Sequence, residues 1–435
     1  MARITPDIPG FVTFIIKRLR AAGFEAYVVG GAVRDALLKR PIMDWDVATA
    51  APSGRIKTLF NDQRQFALRH DTVTLVHSGV HFEVTPFRGG ENDLTNDLSH
   101  RDFTINAMAL DPDGLKVIDP FHGESDIQQR VLRAVGNPEE RFREDPLRLL
   151  RCIRLIAELG FRIDKETLTG LGRTAPLLSS AAPERIRDEL LKILMTATPS
   201  TSFYLMVRTG ILRFFLPELL EGYLKRQNHY HRHTIFRHIV ETIDQVRPDP
   251  VLRLTALLHD IAKPRTRVKQ RGAWRFYGHE KESALLAEKI LKRLKFSKEV
   301  MRGVTHLIRH HMIGYDSGWS DAAVRRLMRR VGTGNIHDLL EFRRADLLAH
   351  GFAGQDLALT DELERRVAEQ IRRGAPTRRG DLAVDGNMVM KITGLSPGPE
   401  VGRILRGLNE KVLDQPELNN REDLRVLIKF IQTYA

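Results

Sequence analysis

One short segment near the N-terminus constrains the fold more than any other, because a strand pattern, a glycine pair, a helix pattern and two spaced aspartates follow in order. AYVVGG (26–31) is apolar and ends in glycines, which predicts a buried strand. AVRDALLKR predicts a short helix and DWDVATA a second strand. Because glycine has no side chain, the N–H groups of Gly30 and Gly31 can approach a phosphate at the helix start. A tight turn without a ligand is the alternative.

Asp44 and Asp46 of DWDVATA are separated by one residue. Positions i and i+2 of a strand share a face, where two carboxylates repel each other unless a cation lies between them. The pair therefore predicts a site for two Mg²⁺ ions, with a solvated strand end as the alternative. TVTLVHSGVHFEVTPF alternates around Ser78-Gly79, which predicts a hairpin, and Glu83 within it is a candidate third carboxylate.

Composition narrows the class of protein. The 435 residues predict two to four domains, and the single cysteine, Cys152, excludes an internal disulfide and indicates a reducing compartment. The start MARITPDIPG lacks the apolar core of a signal peptide, and no apolar run is long enough for a membrane span, so we expect a cytoplasmic protein without membrane contact. The net charge of +13 favours a polyanionic partner, most often nucleic acid.

The pattern changes to helices from about residue 138. PEERFREDPLRLLRCIRLIAELGF has helical apolar spacing and predicts a helix that stops at Gly160. Asp145 and Arg148 would lie on one face of that helix, where an intrahelical salt bridge is the simplest expectation. Nearly everything that follows is helical in pattern, and RRGAPTRRGD (372–381) predicts a linker or exposed loop.

Five motifs along the chain carry a family resemblance. They are VVGGAVRDALL with DWDVATA, HRDFTINAMAL (100–110), IDPFHGESDIQQRVLRAVG (118–136), EDPLRLLRCIRLIAELGF (144–161) and PERIRDELLKIL (183–194). In this order they resemble the class II bacterial tRNA nucleotidyltransferases and poly(A) polymerases, whose head is related to DNA polymerase beta. His100 departs from the family pattern, since it stands where an arginine is usual.

The resemblance implies roles for individual residues. Asp44 and Asp46 would bind two catalytic Mg²⁺ ions. The implied nucleotide-binding residues are Gly30, Gly31 and Arg34 for the triphosphate, Arg101, Asp102 and Asn106 for sugar and phosphates, Asp145 and Arg148 for the base, and Arg151 and Arg154 as further candidates that could instead face solvent. Most of the catalysis would be positioning and charge neutralisation, as in other phosphoryl transfers.

In such enzymes the carboxylate and guanidinium of the base-recognising pair replace a nucleic-acid template. Cytosine and adenine both present an amino group beside a ring-nitrogen acceptor, which matches Asp145 as acceptor and Arg148 as donor. Uracil and guanine present the opposite polarity. The resemblance therefore implies CTP as substrate, with ATP as a further candidate.

A short segment distinguishes this chain within the family. Only twelve residues, Gly89 to His100, separate FEVTPFR from RDFT, where full CCA-adding enzymes carry a longer flexible loop that is thought to switch the pocket from CTP to ATP. The resemblance thus favours an enzyme that adds two cytidines and leaves the last adenosine to a partner. A full CCA-adding enzyme with a shortened loop, and an A-adding or poly(A)-adding enzyme, are the alternatives.

The helical part contains an ordered set of histidines and aspartates. LLHDIAKP, GHE, LIRHH and RRADLLAHG resemble the ligand motifs of HD-superfamily metal-dependent phosphohydrolases. The implied ligands are His238, in preference to His233, and His259, Asp260, His279, His310 and Asp346. Such a set suits a divalent transition metal or Mg²⁺. In the family the domain is linked to phosphatase and 2′,3′-cyclic phosphodiesterase activity, with a vestigial domain as the alternative.

The predicted fold class is α+β, a mixed-sheet nucleotidyltransferase head followed by all-α parts. The predicted domains are the head (1–136), a helical neck and body with the base-recognising motif (137–225), an all-α HD domain (226–352) and a helical tail that contacts tRNA (353–435). Three basic stretches, 263–275, 325–330 and 372–379, are candidates to hold the backbone of a tRNA whose 3′ end is extended. An HD phosphohydrolase with a non-catalytic, nucleotide-sensing head is the alternative from another class.

Overall fold

The computed structural model describes residues 7–67, 71–89, 93–113, 115–227, 232–350, 354–376 and 379–434. The chain divides into two compact units, of which unit 1 ends at Phe215 and unit 2 begins at Leu216. None of the described helices combines the length and the apolar character needed to cross a bilayer. The division into four domains stays a prediction beside these two units.

Unit 1 is built on a mixed seven-stranded sheet. Its strands are β1 (Ala26–Val29), β2 (Asp46–Thr49), β3 (Arg64–Ala67), β4 (Val73–His77), β5 (Val80–Pro86), β6 (Ala109–Asp111) and β7 (Lys116–Ile118). The spatial order is β3-β4-β5-β2-β1-β6-β7, and β2 with β5 is the parallel pair among antiparallel neighbours. A short parallel pair, β8 (Val131–Leu132) and β9 (Arg162–Ile163), follows. The mixed-sheet prediction is confirmed.

Ten helices complete unit 1. They are α1 (Gly10–Ala21), α2 (Gly31–Leu37), α3 (Ser53–Leu59), α4 (Leu94–Ser99), α5 (Gly123–Gln129), α6 (Pro138–Glu144), α7 (Arg148–Leu159), α8 (Lys165–Thr174), α9 (Pro183–Leu194) and α10 (Pro199–Thr209) among the described residues. The predicted hairpin is confirmed as β4–β5, whose turn places Ser78 and Gly79 at φ of 50° and 79°. Positive φ at both central residues is typical of the turn that matches strand twist.

The predicted helix over 138–160 is wrong in its middle. It is two helices, α6 and α7, with Asp145 extended between them at φ −145° and ψ 102°. The cause is Pro146, since a proline disfavours helical backbone at the preceding residue. Asp145 and Arg148 therefore do not share a helix face. The end at Gly160 is confirmed, with φ 64° there.

One further expectation about unit 1 needs correction, and one short segment contains a helix that no sequence pattern had predicted. The strand β2 begins at Asp46, so Asp44 lies before the strand instead of on it. The short segment from Gly89 to His100 contains a helix, α4, of which Leu94 and Leu98 pack with Val29, Ala48 and Ala109 in a buried apolar cluster. Residues 90–92 of that segment lie outside the described residues.

Unit 2 is almost entirely helical. Its helices are α11 (Pro217–Leu220), α12 (Ile235–Gln245), α13 (Pro250–Leu258), α14 (His279–Arg293), α15 (Lys298–His310), α16 (Asp321–Val331), α17 (Ile336–His350), α18 (Gly354–Arg372), α19 (Gly386–Thr393), α20 (Pro399–Asp414) and α21 (Arg421–Tyr434) in the part of the chain that is described. The helices α12 to α15 and α17 surround the predicted metal ligands. A separate apolar core joins α19, α20 and α21.

The all-α expectation for this region misses one hairpin, β10 (Arg267–Gln270) with β11 (Ala273–Phe276). Arg271 and Gly272 form its two-residue turn at φ 48° and 79°. Alternation of side chains on either side of an Arg-Gly turn is what such a hairpin requires. Its strands are only four residues long, which explains why the helical surroundings hid it in the sequence pattern.

Candidate active site and metal centre

The Gly30-Gly31 turn joins β1 to α2, and Gly30 has φ 75°. A methyl group built on Gly30 would lie 3.0 Å from Arg101 Nη1 and 3.6 Å from Asp46 Oδ2. Because Gly30 has no side chain, its backbone can lie close to both the Arg101 guanidinium and the Asp46 carboxylate. This arrangement combines the donors that phosphates prefer with a carboxylate that can bind a cation.

Three predicted carboxylates lie together at one end of β2. Asp46 is directly opposite Glu83 on the parallel strand β5, and Asp44 precedes it by two residues and is exposed. Burial raises the pKa of Asp46, with Asp44 adding to the effect and Arg101 opposing it. Burial also raises the pKa of Glu83, to which Asp46 and Asp44 both contribute. Carboxylates close enough to raise the pKa of Asp46 and Glu83 form a site where a divalent cation is favourable, so these residues fit Mg²⁺.

A buried polar chain runs from α2 to α7. Arg34 Nη1 donates to Asn106 Oδ1 at 2.8 Å, and Asn106 Nδ2 donates to Asp102 Oδ1 at 3.1 Å. The other carboxylate oxygen of Asp102 lies 2.7 Å from Arg151 Nη2. Burial alone would raise the pKa of Asp102, but Arg151 and the hydrogen bond from Asn106 lower it to about 2. Four of the predicted nucleotide-binding residues therefore form one fixed network.

Arg101 is held by a residue that sequence reasoning did not single out. Its Nε and Nη2 donate to Asp97 Oδ2 at 3.2 and 3.0 Å, and Asp97 is buried. Sequence reasoning did not single out Arg88 either. Its backbone N–H donates to Asp97 Oδ1. Loss of hydration and the nearby Arg101 lower the pKa of Arg88. The only signal for Arg88 was its place at the end of the motif FEVTPFR, and for Asp97 its place shortly before HRDFT.

The predicted base-recognising pair lies at the junction of α6 and α7, but its members do not bind each other. Asp145 receives two hydrogen bonds from Arg185, at 3.1 and 2.8 Å, which together lower its pKa against the effect of burial. Arg148 is buried and donates to Glu144 at 2.7 Å and to the His100 carbonyl at 2.7 Å. The expected intrahelical salt bridge between Asp145 and Arg148 is thus wrong, because Pro146 turns Asp145 off the helix.

Arg185 belongs to PERIRDELLKIL, so the motif predicted the helix α9 but not the hydrogen bonds of Arg185 to Asp145.

The two further arginine candidates of α7, Arg151 and Arg154, have different partners. Arg151 lies in the polar chain with Asp102, whereas Arg154 donates to Glu189 and Glu158, each at 2.9 Å. Since Glu189 is buried on α9, Arg154 ties two helices together. The structure therefore does not bring Arg154 to the carboxylates of β2.

Unit 2 contains a buried cluster of histidines and aspartates. His238, His259 and Asp346 have ligand atoms all within 4.8 Å of one another, and so do Asp260, His279 and His311; these are the two such groups in the described residues. His238 Nε2 lies 3.0 Å from Asp346 and 3.3 Å from Asp260, which joins the groups. The preference for His238 over His233 holds geometrically, because His233 pairs with Glu241 instead.

His310 is not part of this cluster, and its neighbour His311 is. The helix α15 ends at His310, whose ring meets the ring of His306, one turn earlier, edge to face. His311 follows the helix end, is buried, and points toward His279 and His259, with ring centroids 5.2 and 5.5 Å away. The sequence offered both histidines of LIRHH, and only the helix end decides which one turns inward.

The donor set fits a divalent cation. Nδ1 of His259, His279 and His311 each bonds a backbone carbonyl three residues earlier, at 2.9, 2.7 and 2.7 Å. Such bonds leave Nε2 to the cluster, as metal-bound histidines require. Burial lowers the pKa of His311 to about 3, which keeps this ring neutral. Burial alone would lower the pKa of His259, but Asp260 and Asp346 raise it to about 10. The carboxylates of the cluster therefore favour a positive charge among them.

Known protein families match both the part of the chain with the β2 carboxylates and the part with the histidine and aspartate cluster. Family models match a poly(A) polymerase head domain at residues 26–133, a probable RNA and SrmB-binding site of polymerase A at 160–222, and an HD domain at 234–349. A CCA-adding enzyme of Limosilactobacillus reuteri is 31% identical over 425 residues, 93% of each chain. The chain belongs to the family of tRNA nucleotidyltransferases that includes the CCA-adding enzymes.

Other tRNA nucleotidyltransferases extend this result. An A-adding tRNA nucleotidyltransferase of Deinococcus radiodurans is 33% identical and covers 88% of this chain and 91% of its own. The crystal structure of a Bacillus stearothermophilus CCA-adding enzyme in complex with CTP matches with a TM-score of 0.73 at 27% identity, over 97% of this chain and 96% of that one. The predicted family, fold class and enzyme type are confirmed: this tRNA nucleotidyltransferase carries a polymerase head and an HD domain.

Proposed function

We propose that this tRNA nucleotidyltransferase adds two cytidines from CTP to the tRNA 3′ end and leaves the terminal adenosine to a separate enzyme. The segment between Gly89 and His100 carries this proposal. Its helix α4 buries Leu94 and Leu98 in the core, and the buried Asp97 bonds Arg101. A helix held on its buried side by both apolar packing and an ion pair is a poor candidate for a flexible switch between CTP and ATP.

The carboxylates at the end of β2 would hold the metal ions of the reaction. Asp44 and Asp46, with Glu83 opposite, fit two Mg²⁺ ions because all three would otherwise repel one another. Bound Mg²⁺ supplies charge neutralisation at the phosphates and at the attacking hydroxyl. The N–H groups of Gly30 and Gly31, with Arg34, would hold the triphosphate, and Arg101, Asp102 and Asn106 would contact the sugar and phosphates.

Base selection would depend on Asp145 and Arg148. Asp145 accepts hydrogen bonds only, so it suits the amino group of cytosine, while Arg148 donates to the ring nitrogen. Arg185 would act as a positioning residue, since its two hydrogen bonds orient the Asp145 carboxylate. Uracil in this pocket would place its carbonyl acceptor opposite the Asp145 carboxylate and its ring N–H donor opposite Arg148, so both protein groups would be mispaired.

The test uses tRNA transcripts that end at the unpaired base before the CCA tail. They are incubated with the protein, Mg²⁺, and CTP or ATP, separately and together, and the 3′ ends are sequenced. We expect products that stop at two cytidines even with ATP present. Complete CCA ends would show that the anchored segment still permits the switch, and A without C would indicate an A-adding or poly(A)-adding enzyme.

A second function is favoured by the buried cluster of unit 2. We propose that His238, His259, Asp260, His279, His311 and Asp346 hold a divalent transition metal or Mg²⁺ and hydrolyse phosphate esters at RNA 3′ ends. Their convergent Nε2 and carboxylate oxygens support this proposal. Such an activity would prepare damaged ends for extension, in the cytoplasm where tRNA is matured.

A further inference from the structure

The three basic stretches of unit 2 differ in how much of their charge is already neutralised. In 325–330, Arg325 is buried and donates to Gln370 and the Leu413 carbonyl. Arg326 and Arg329 of the same stretch pair with carboxylates of α20, Glu410 and Asp414. In the stretch that begins at Arg372, Arg372 and Arg373 both pair with Glu369. Arg325, Arg326 and Arg329 hold helices together, and Arg372 and Arg373 are neutralised by a carboxylate of their own helix, so these five cations have little charge left for a polyanion.

The stretch 263–275 differs in its hairpin part, although before the hairpin Lys263 pairs with Asp260 and Arg265 with Glu221. It contains six Lys and Arg residues, and the sequence has no Asp or Glu between Asp260 and Glu280. Lys269, Arg271 and Arg275 are exposed on the β10–β11 hairpin. Among the described residues no carboxylate lies within ion-pair distance of these three. Their positive charge therefore faces solvent, and it lies on a defined scaffold, since a two-residue turn closes the hairpin.

Aromatic side chains accompany these cations. Tyr277 is 66% exposed, directly after β11, and its hydroxyl donates to Gln270 on the opposite strand at 2.6 Å. The guanidinium of Arg267 lies 3.6 Å from the ring centroid of Trp274, which stiffens the opposite face of the hairpin, the face that Lys269 shares as the cross-strand partner of Trp274. Unpaired cations beside an exposed aromatic ring are the combination that binds single-stranded nucleic acid, through phosphates and stacked bases.

Both ends of the hairpin are attached to the buried cluster. Before β10, Lys263 Nζ lies 2.6 Å from Asp260 Oδ2 and 5.6 Å from the ring centroid of Phe276. After β11, His279 Nδ1 bonds the Phe276 carbonyl. The hairpin is thus inserted between two residues of the cluster, and a chain bound along it would be brought next to the cluster.

We propose that the β10–β11 hairpin binds single-stranded RNA and holds its 3′ end for the cluster of unit 2. The RNA chain passes around the turn of the hairpin. It contacts Arg275 on the face where Tyr277 bonds Gln270, Arg271 at the turn, and Lys269 on the opposite face beside Trp274, while Tyr277 stacks on a base. The inference rests on the proposed RNA-directed role of the cluster, and it makes the substrate of that site a polynucleotide end instead of a free nucleotide.

The test compares the full-length protein with the triple variant K269Q/R271Q/R275Q. Both proteins are titrated against a labelled single-stranded oligoribonucleotide of about 12 nucleotides, which is within the usual site size for single-strand binding. Binding is followed by fluorescence anisotropy over a range of salt concentrations. Because each lost phosphate contact removes about 0.7 from the salt slope, we expect the slope to fall by about 2 and the affinity at low salt to fall roughly tenfold.

The matched control is K289Q/K292Q/K298Q, which removes three exposed charges from α14 and α15 of the same unit. It should bind the oligonucleotide like the unchanged protein. Equal weakening by both triple variants, or none by the hairpin variant, would overturn the proposal. Tyr277→Ala should also weaken binding, and Tyr277→Phe should restore it; a duplex RNA that binds as well as the single strand would refute the stacking contact.

Hydrolysis separates this inference from the function on which it rests. We expect the hairpin variant to cleave a 2′,3′-cyclic mononucleotide at the normal rate, and to show a raised KM for an oligonucleotide with the same terminus. Absence of hydrolysis by the unchanged protein would contradict the phosphohydrolase proposal alone, since RNA binding is measured independently. A raised KM for both substrates would contradict the hairpin proposal.

Discussion

At the scale of single residues, Asp102 shows how strongly surroundings decide the behaviour of a predicted site residue. Its carboxylate is buried, and on that ground alone its pKa would rise. Arg151, Asn106 and the Phe103 N–H surround it with positive charge and donors, and its pKa falls to about 2. The charged form is therefore part of the folded state of unit 1.

We predict that Asp102→Asn destabilises unit 1 by about 2 kcal/mol at neutral pH, because Arg151 loses its anionic partner. The folded-state pKa is depressed, so the stabilisation is present above the unfolded pKa of about 3.9 and is lost as pH falls toward about 2. Roughly half of the difference between the two proteins should have gone by about pH 3.

Urea unfolding followed by Trp45 fluorescence measures this difference. Trp45 is the only tryptophan of unit 1, so both proteins carry W274F and W319F as a common background. A difference in the free energy of unfolding that stays constant between neutral pH and about pH 3 would contradict the assignment of the low pKa to Asp102.

At the scale of elements, helix ends decide which side chains meet. Pro146 ends α6 before Asp145 and so delivers that carboxylate to Arg185 on α9. The end of α15 at His310 has the same effect, since His310 stays on the helix with His306 while His311 turns into the cluster. Helical periodicity predicted both helices and could not locate either end to the residue that matters.

We predict that His311→Ala lowers the metal affinity of unit 2 by roughly 10-fold or more, since a ligand of the cluster is lost. His310→Ala, the adjacent control, should leave the bound metal unchanged. Metal per chain is measured by mass spectrometry after dialysis, together with thermal unfolding. His311→Gln serves as a second variant in case the alanine leaves a cavity that unfolds the unit; equal metal loss at both positions would contradict the geometry.

At the scale of the whole molecule, the chain places two separate sets of carboxylates in two compact units. Asp44, Asp46 and Glu83 lie in unit 1, and Asp260 and Asp346 lie in unit 2. Each set has its own cationic neighbours, Arg101 in the first and Lys263 in the second. The two proposed reactions therefore use no residue in common.

We predict that Asp46→Asn lowers CTP incorporation into tRNA by roughly 10³-fold or more, because a metal ligand worth several kcal/mol of charge stabilisation is removed. It should leave the metal content of the cluster unchanged. Asp260→Asn should have the reverse effect, with metal lost and incorporation retained. Paired assays of both variants check this, and loss of both activities in either one would show that the sites depend on each other.

Much of this protein follows from local sequence patterns. The strand, glycine turn and helix around Gly30 and the hairpin at Ser78-Gly79 were predictable because turn chemistry and apolar periodicity act over a few residues. His259 and Asp260 were implied as ligands by the resemblance of their motif to the HD superfamily. The family resemblance carried the fold class and the enzyme type. The roles of the individual site residues remain predictions. The geometry of the two sites supports most of them.

Only the tertiary structure decided contacts between residues far apart in the chain. Arg185 reaches Asp145 across forty positions, Asp97 orients Arg101 from a helix that no sequence pattern had predicted in the short segment, and His311 takes the place assigned to His310. The physical reason is the same in each case. Local patterns determine where a helix or strand forms, whereas its exact end and the face it buries depend on what packs against it.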